Sequence, residues 1–309
     1  MRLIFCGTPQ FAVPSLNFLL AQRDFEIAAV VTQPDRPRGR GQAISFSPVK
    51  QAALDARVAV MQPEKIRAGE VQPQLEALAA DAIVIIAYGQ IIPARLLNIA
   101  KFGWINLHAS LLPKYRGAAP IQWAIANGES VSGLTTMRID AGMDTGEILL
   151  QEEMRIGAAE TTPELAARMA EAGAPLVAAT LRGLLAGTIT PRAQEHALAT
   201  LAPLLKKEDG RIEWSRPARE IYDRMRGFAP WPGAFTTFRG RSCQVWGEPE
   251  EGVAATGEAG DIFGAGMFLV RCGAGTALRV THVKPEGGSR MLAVDFAHGA
   301  RPQPGERFV

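Results

Sequence analysis

Asn106 and His108 lie two residues apart in Trp104-Ile-Asn-Leu-His108, alternating with Ile105 and Leu107. In a strand, a period of two puts both polar side chains on one face and the apolar ones on the other. An amide and an imidazole at a buried strand end can donate hydrogen bonds to an oxygen that gains charge. Ser110-Leu-Leu-Pro113 follows directly, then a basic turn, Lys114-Tyr-Arg-Gly117. A third group comes from Asp140-Ala-Gly-Met-Asp-Thr-Gly146, where Asp144 sits in a turn after an expected strand.

No Ser lies in a G-x-S-x-G elbow and no Cys lies near these residues, so covalent acyl transfer does not fit. Direct transfer of an acyl group to an incoming amine does. Asn106 and His108 would then donate to the tetrahedral oxyanion, and Asp144 would orient His108 or help take the amine proton. Residue types alone leave plainer readings open. A strand histidine is commonly a satisfied core group, an Asp near a Gly commonly closes a turn, and Ser110–Pro113 reads equally as an apolar loop over the core.

Other chemistries lack their residues. Gly7-Thr-Pro-Gln-Phe11 supplies a single glycine after the first strand, not the G-x-G-x-x-G of a dinucleotide site. Gly39-Arg-Gly41 and Gly273-Ala-Gly275 lie outside any strand-to-helix turn. There is no Cys/His cluster with zinc spacing and no G-x-S-x-G elbow.

The elements that must position the site read as a doubly wound α/β unit. Leu3–Cys6, Glu26–Thr32, Val58–Met61 and Ala82–Ala87 are expected strands. Phe11–Leu20, a segment from Ser47 to Ala56, Glu64–Ala80 and a segment near 94–100 are expected helices. Tyr88-Gly-Gln-Ile-Ile-Pro93 follows a buried strand at its carboxyl end, where open α/β sheets bind ligands. Ala118–Asn127 is an expected helix, Gly133–Ile139 and Glu147–Arg155 are expected strands, and Pro163–Leu185 is a helix interrupted near Gly173-Ala-Pro175. Thr188–Gln194 is a candidate closing strand. Residues 33–47 form a long polar loop whose Arg36, Arg38 and Arg40 suit phosphate contacts.

From about residue 196 the texture changes. His196–Leu205 reads as a linker and Arg219–Gly227 as a short basic helix. Short β-like runs follow at Ala234–Phe238, Ser242–Trp246, Met267–Arg271, Ala277–Lys284 and Met291–Val294, a spacing that fits a small, OB-like barrel. The expected division is 1–195, a linker 196–206, and 207–309.

With 309 residues, 47% apolar and 21% charged, the chain has the composition of a soluble globular protein of two domains. Its net charge of +2 is uneven. Residues 1–205 hold 18 basic and 18 acidic side chains, residues 206–245 hold nine basic against five acidic, and the remainder is slightly acidic. A local basic segment fits a polyanionic partner. Three scattered cysteines make no metal spacing and cannot all pair. The opening apolar run is short for a signal peptide or membrane span, so a cytoplasmic, non-membrane protein is expected.

The motifs carry a resemblance. Asn106-Leu-His108, Ser110-Leu-Leu-Pro113 and Gly133-Leu-Thr-Thr-Met-Arg-Ile-Asp-Ala-Gly-Met-Asp144-Thr-Gly146 resemble the tetrahydrofolate-dependent formyltransferase family. Gly7-Thr-Pro9, Thr32-Gln-Pro-Asp-Arg-Pro37, Gly39-Arg-Gly41, Ser47-Pro-Val-Lys50, Ala87-Tyr-Gly89, Arg116-Gly-Ala-Ala-Pro-Ile-Gln122 and Arg211-Ile-Glu-Trp-Ser215 extend the likeness to the branch that formylates methionyl-tRNA. The resemblance implies a Rossmann-like formyltransferase domain followed by a smaller OB-like domain that binds tRNA. It implies 10-formyltetrahydrofolate as donor and cosubstrate, no metal, initiator methionyl-tRNA as acceptor, and a monomer. It assigns catalysis to Asn106, His108 and Asp144. Folate binding goes to Ser110, Leu111, Leu112 and Pro113, with Gln90, Ile91 and Asp140, and tRNA binding to Arg36, Arg38, Arg40 and Lys207. Two departures stand out: Gln42-Ala43 replaces a basic pair after Gly39-Arg-Gly41, and Leu201-Ala-Pro-Leu204 replaces Tyr-Ala-x-Lys. The alternatives are a formyltransferase acting on a sugar nucleotide or glycinamide ribotide, and a non-catalytic folate- or RNA-binding protein.

Overall fold

The computed structural model describes residues 1–38, 43–264, 267–303 and 305–309. It divides into two compact units: 1–120, 131–155 and 164–203 in the first, and 121–130, 156–163 and 204–309 in the second.

The first unit begins with β1 (Arg2–Gly7), α1 (Val13–Ala21) and β2 (Glu26–Val31). β3 (Arg36–Arg38) and β4 (Ala43–Ser45) pair antiparallel, so the expected polar loop contains a short strand pair; Arg40 lies outside the described residues. α2 (Pro48–Asp55) starts where Ser47 Oγ accepts from Lys50 N at 3.1 Å, with Pro48 at the first helical position. β5 (Val60–Met61), α3 (Val71–Ala77), β6 (Ala82–Ile86) and β7 (Trp104–His108) follow. In the second unit lies most of α4 (Pro120–Ala126). The first then resumes with β8 (Val131–Arg138), β9 (Ile148–Arg155) and the long α5 (Thr162–Ala186).

The seven strands order as β5-β2-β1-β6-β7-β8-β9. Pairings from β5 to β7 are parallel, and β7–β8 and β8–β9 are antiparallel. Ala82–Ile86 is buried along its whole length, as a strand covered on both faces requires.

Four expectations change, the last of them at α5. Helix α3 starts at Val71, not Glu64. Pro73 explains this: in the first turn its missing N–H costs nothing, whereas a helix from residue 64 would place it in the interior. The helix expected near 94–100 is one turn of 3-10 helix, Ala94–Leu96. Thr188–Gln194 makes one isolated bridge, Arg192 to Ile148, rather than a strand.

Helix α5 runs unbroken through Pro175. An interior proline costs about 3 kcal/mol, but Leu165, Met169, Val177 and Leu181 are fully buried. Each contributes about 1.5–3 kcal/mol, so packing wins. Gly173 lets the helix press onto β7, since a Cβ there would meet Leu107 Cδ2 at 2.5 Å. Leu107 therefore faces α5, and the alternate residues Asn106 and His108 face the other way.

The second unit contains α6 (Ala218–Gly227), β10 (Phe235–Phe238), β11 (Arg241–Glu250), β12 (Ile262–Phe263), β13 (Leu269–Arg271), β14 (Ala277–Pro285), β15 (Met291–Leu292) and α7 (Ala293–Ala300). β14 pairs with β11 on one edge and with β13 and β15 on the other. The last residues close the sheet. Phe308 N donates to Gly260 O at 2.9 Å, Arg307 bridges Asp261, and Val309 exchanges two hydrogen bonds with Thr237. Segment 306–309 thus lies between β12 and β10, making the expected barrel. Trp214, Phe238, Phe268 and Phe296 line its core beside Phe308.

The basic character of this unit is smaller than its composition indicates. Arg226 is buried and donates to Asp223 at 2.8 Å and to the carbonyls of Gly157 and Glu160. Arg216 pairs with Glu213 and Glu220, Arg239 with Glu306, and Arg224 donates to Asp209 O. Lys206, Lys207, Arg211 and Arg241 are exposed and have no ion-pair partner among the described residues.

Candidate active site

His108 is buried at the end of β7. Its Nε2 lies 2.9 Å from the carbonyl of Tyr115. A carbonyl only accepts, so this nitrogen carries a hydrogen and donates it. Nδ1 faces Asp144 Oδ2 at 3.7 Å, an ion-pair distance too long for a hydrogen bond. Nδ1 is therefore the ring nitrogen left for a substrate, as donor or acceptor according to its proton.

Asn106 is half-buried on the same face of β7, and its side-chain amide has no hydrogen-bond partner among the described residues. An amide left open beside a buried histidine is the donor that a developing oxyanion requires.

Asp144 arrives on a loop. β8 leaves the sheet beside Trp104, where Ile139 N donates to Trp104 O, and the following residues fold back along β7 to His108. Asp144 holds a left-handed backbone, φ +54°, and its Oδ2 accepts from Gly117 N at 2.8 Å. Gly117 has φ +125°, and a Cβ there would come within 2.6 Å of Ala202 O, so glycine is required. The turn 114–117 thus holds both partners through its backbone, His108 by the Tyr115 carbonyl and Asp144 by the Gly117 N–H. The turn is pinned in its own right. Tyr115 N donates to Thr200 Oγ1, Arg116 N to Thr200 O, and Ala202 N to Arg116 O. The stretch read as a linker is therefore a fixed wall of the first unit up to Ala202.

Within the Ser110–Pro113 loop the structure separates anchors from surface. Ser110 and Leu112 are buried. Thr135 Oγ1 donates to Ser110 O and accepts from Leu112 N, and Gln151 Nε2 donates to Leu112 O. Leu111 and Pro113 are partly exposed. Ile91 is 91% exposed and Met143 59% exposed, apolar surface that a flat heterocycle could cover.

Gln90 and Asp140 are both engaged within the protein, Gln90 with other segments and Asp140 with its own loop. Gln90 Oε1 accepts from Ile66 N at 2.7 Å, and its amide nitrogen donates to Gln33 and Glu64. Asp140 Oδ1 accepts from Gly142 N and Thr145 Oγ1. Arg36 is exposed, 3.5 Å from Glu64. Arg38 places its backbone in β3, and Lys207 starts an exposed turn, Lys207–Gly210.

Sequence reasoning had no signal for the backbone roles of Tyr115 and Gly117, because any residue carries a carbonyl. Gln194, which donates to the carbonyls of Asp144 and Gly146, was also missed. It lies 50 residues from Asp144 in the chain.

A Rossmann-like sheet bearing an amide, an imidazole and a carboxylate at one strand end, followed by a small barrel, defines a two-domain transferase. Residues 1–181 match the family model described as Formyl transferase, and residues 204–301 match that of its C-terminal domain. A methionyl-tRNA formyltransferase of Solibacter usitatus is 52% identical over 308 residues, covering 100% of this chain and 98% of the relative. That of Koribacter versatilis is 52% identical over 310 residues with the same coverage. Among solved structures, the N-formyltransferase from Helicobacter canadensis, in complex with folinic acid and dTDP-3-aminofucose, has a TM-score of 0.65 at 18% identity. It covers 91% of this chain and 98% of its own, a likeness of fold. The chain belongs to the methionyl-tRNA formyltransferase family.

Proposed function

We propose that this protein transfers the formyl group of 10-formyltetrahydrofolate to the α-amino group of methionine on initiator tRNA. Membership of the family over the full chain supports the substrates. The observation that carries the chemistry is the unpartnered Asn106 amide on the same strand face as the His108–Asp144 pair.

In this reading the amine adds to the formyl carbon. Asn106 donates to the oxygen as it gains charge, which in comparable sites is worth about 2.7–4 kcal/mol. His108 acts through Nδ1, since Nε2 is held by Tyr115. With its proton, Nδ1 donates to the oxyanion; without it, Nδ1 and Asp144 receive the proton that the amine loses. Collapse returns a proton to the folate nitrogen that departs. Leu111, Pro113, Ile91 and Met143 supply the apolar side of the folate site, and the backbone of Gln90 and Asp140 borders it.

For the tRNA, Arg36 and Arg38 of β3, together with Arg40 and with Lys207 in the 207–309 region, supply phosphate contacts. Among the described residues no helix is long and apolar enough to cross a membrane. A cytoplasmic monomer fits this reading. Incubation with 10-formyltetrahydrofolate and charged initiator tRNA tests it, with a charged elongator tRNA as control. Formylmethionine on the initiator is the expected product. Formylation of an amino sugar nucleotide or glycinamide ribotide instead would overturn the assignment.

A further inference from the structure

The Asp144 loop is held by a buried pair to which the transfer chemistry above gives no part. Gln194 Nε2 donates to Asp144 O at 2.9 Å and Gly146 O at 2.7 Å. Its Oε1 accepts from Arg116 Nε at 3.0 Å and Nη2 at 2.7 Å, a two-pronged grip. Both side chains are buried, each 6% exposed.

Arg116 has no carboxylate partner among the described residues. Its remaining side-chain contact is His196 Nδ1 at 3.2 Å, which must accept because arginine only donates. Burying a guanidinium without an anion is unfavourable by several kcal/mol. A surface loop does not need such an arrangement for stability. Its effect is local: a cation on Oε1 polarises the amide and strengthens the two bonds that Nε2 donates. The same Arg116 sits between Tyr115 and Gly117, whose backbone groups hold His108 and Asp144. The backbone of Asp144 is left-handed, φ +54°, a region that Asp enters more readily than most residues but at a cost its surroundings must offset.

We propose that Gln194, gripped by Arg116, is a positioning residue for formyl transfer that fixes the Asp144 loop against His108. The inference rests on the transfer reading above. Gln194 touches no reacting atom; it acts through Asp144.

Two substitutions test it. Gln194→Glu keeps the acceptor for Arg116 and the side-chain shape but replaces the donor to both carbonyls with an oxygen. Gln194→Met removes donor and acceptor without adding charge. A displacement near 1 Å at a reacting group costs about a hundredfold in rate. Gln194→Glu is expected to melt close to the unmodified protein while kcat falls at least about tenfold and KM for the formyl donor changes less than about threefold. Arg116→Lys, which loses the fork, is expected to lower kcat similarly, and the double variant to fall no further than the worse single one. A kcat in Gln194→Glu equal to that of the unmodified protein, or a loss that only tracks the folded fraction, overturns the proposal.

A second measurement separates this from the transfer reading. In protein labelled with ¹⁵N-histidine, the His108 ring signals are expected to move in both Gln194 variants and to stay in Arg301→Gln, an exposed control. Unmoved His108 signals overturn the positioning role even if the unmodified protein formylates no tRNA. Moved signals beside an inactive unmodified protein would leave the positioning intact and remove the proposed reaction.

Discussion

His108 Nδ1 and Asp144 Oδ2 face each other across 3.7 Å, with the other ring nitrogen already bound to the Tyr115 carbonyl. That relationship leaves the ring one nitrogen for a third group, beside a carboxylate anchored through Oδ2 on Gly117 N. Asp144→Asn keeps an oxygen for Gly117 N to donate to but removes the charge facing the ring. We expect kcat to fall about 10²–10⁴-fold, the range for lost acid–base assistance. Folate affinity, carried by other residues, should stay within a few-fold. Single-turnover rates and equilibrium folate binding measure the two separately, and surviving turnover would remove Asp144 from the chemistry.

Asn106→Ala removes an open side-chain donor on that strand face. The expected loss is about 10²–10³ in kcat with little change in the affinity for formyl donor or tRNA. The side chain makes no internal hydrogen bond among the described residues, so thermal stability should hardly change. A stability loss that explains the activity loss would return Asn106 to a structural role.

Charges in the second unit divide into free and paired, and the two sets should behave differently. Lys207→Ala and Arg211→Ala are expected to weaken tRNA binding about equally for initiator and elongator species, each flattening the log–log salt dependence by about one unit. Arg226→Ala removes the buried one of the two arginines paired with Asp223, leaving Arg219, and is expected to cost about 3 kcal/mol of stability instead. Arg40→Ala should weaken tRNA binding more than folate binding. Salt titrations of binding, paired with urea melts, distinguish these outcomes.

Much of this was legible because it depends on pattern. Alternation at Ile105–His108 placed Asn106 and His108 on one face, the apolar run Ala82–Ala87 marked a covered strand, and evenly spaced short runs announced the barrel. Three kinds of feature left no such trace. Pro73 and Pro175 look alike in sequence, yet one sets a helix start and the other is overridden by the packing of α5 against β7. Arg226 counts as charge in composition but is consumed internally. The grip on His108 and Asp144 comes from backbone groups of Tyr115 and Gly117 and from Gln194, contacts that no residue type or spacing encodes.

The barrel's closure depends on its last four residues, whose hydrogen bonds fill the gap between β10 and β12. Phe308 is their anchor: it is buried, stacks on Trp214 at 5.7 Å and meets Phe238 edge-on. Phe308→Ala is expected to destabilise the second unit by about 3–5 kcal/mol. Glu306 adds a pH-dependent part. Two hydrogen bonds from Arg239, with one from Gln303 N, pull its carboxyl from 4.5 down to about 2. A folded value below the unfolded one means that the contribution is present above pH 4.5 and is lost as pH falls toward 2. Glu306→Gln should therefore lower stability at neutral pH slightly and shrink the further loss on acidification through that window. Denaturant melts at a series of pH values, followed by tryptophan fluorescence, measure both. An unchanged acid limb in Glu306→Gln, or a Phe308→Ala protein as stable as its parent, would show that the barrel is held shut elsewhere.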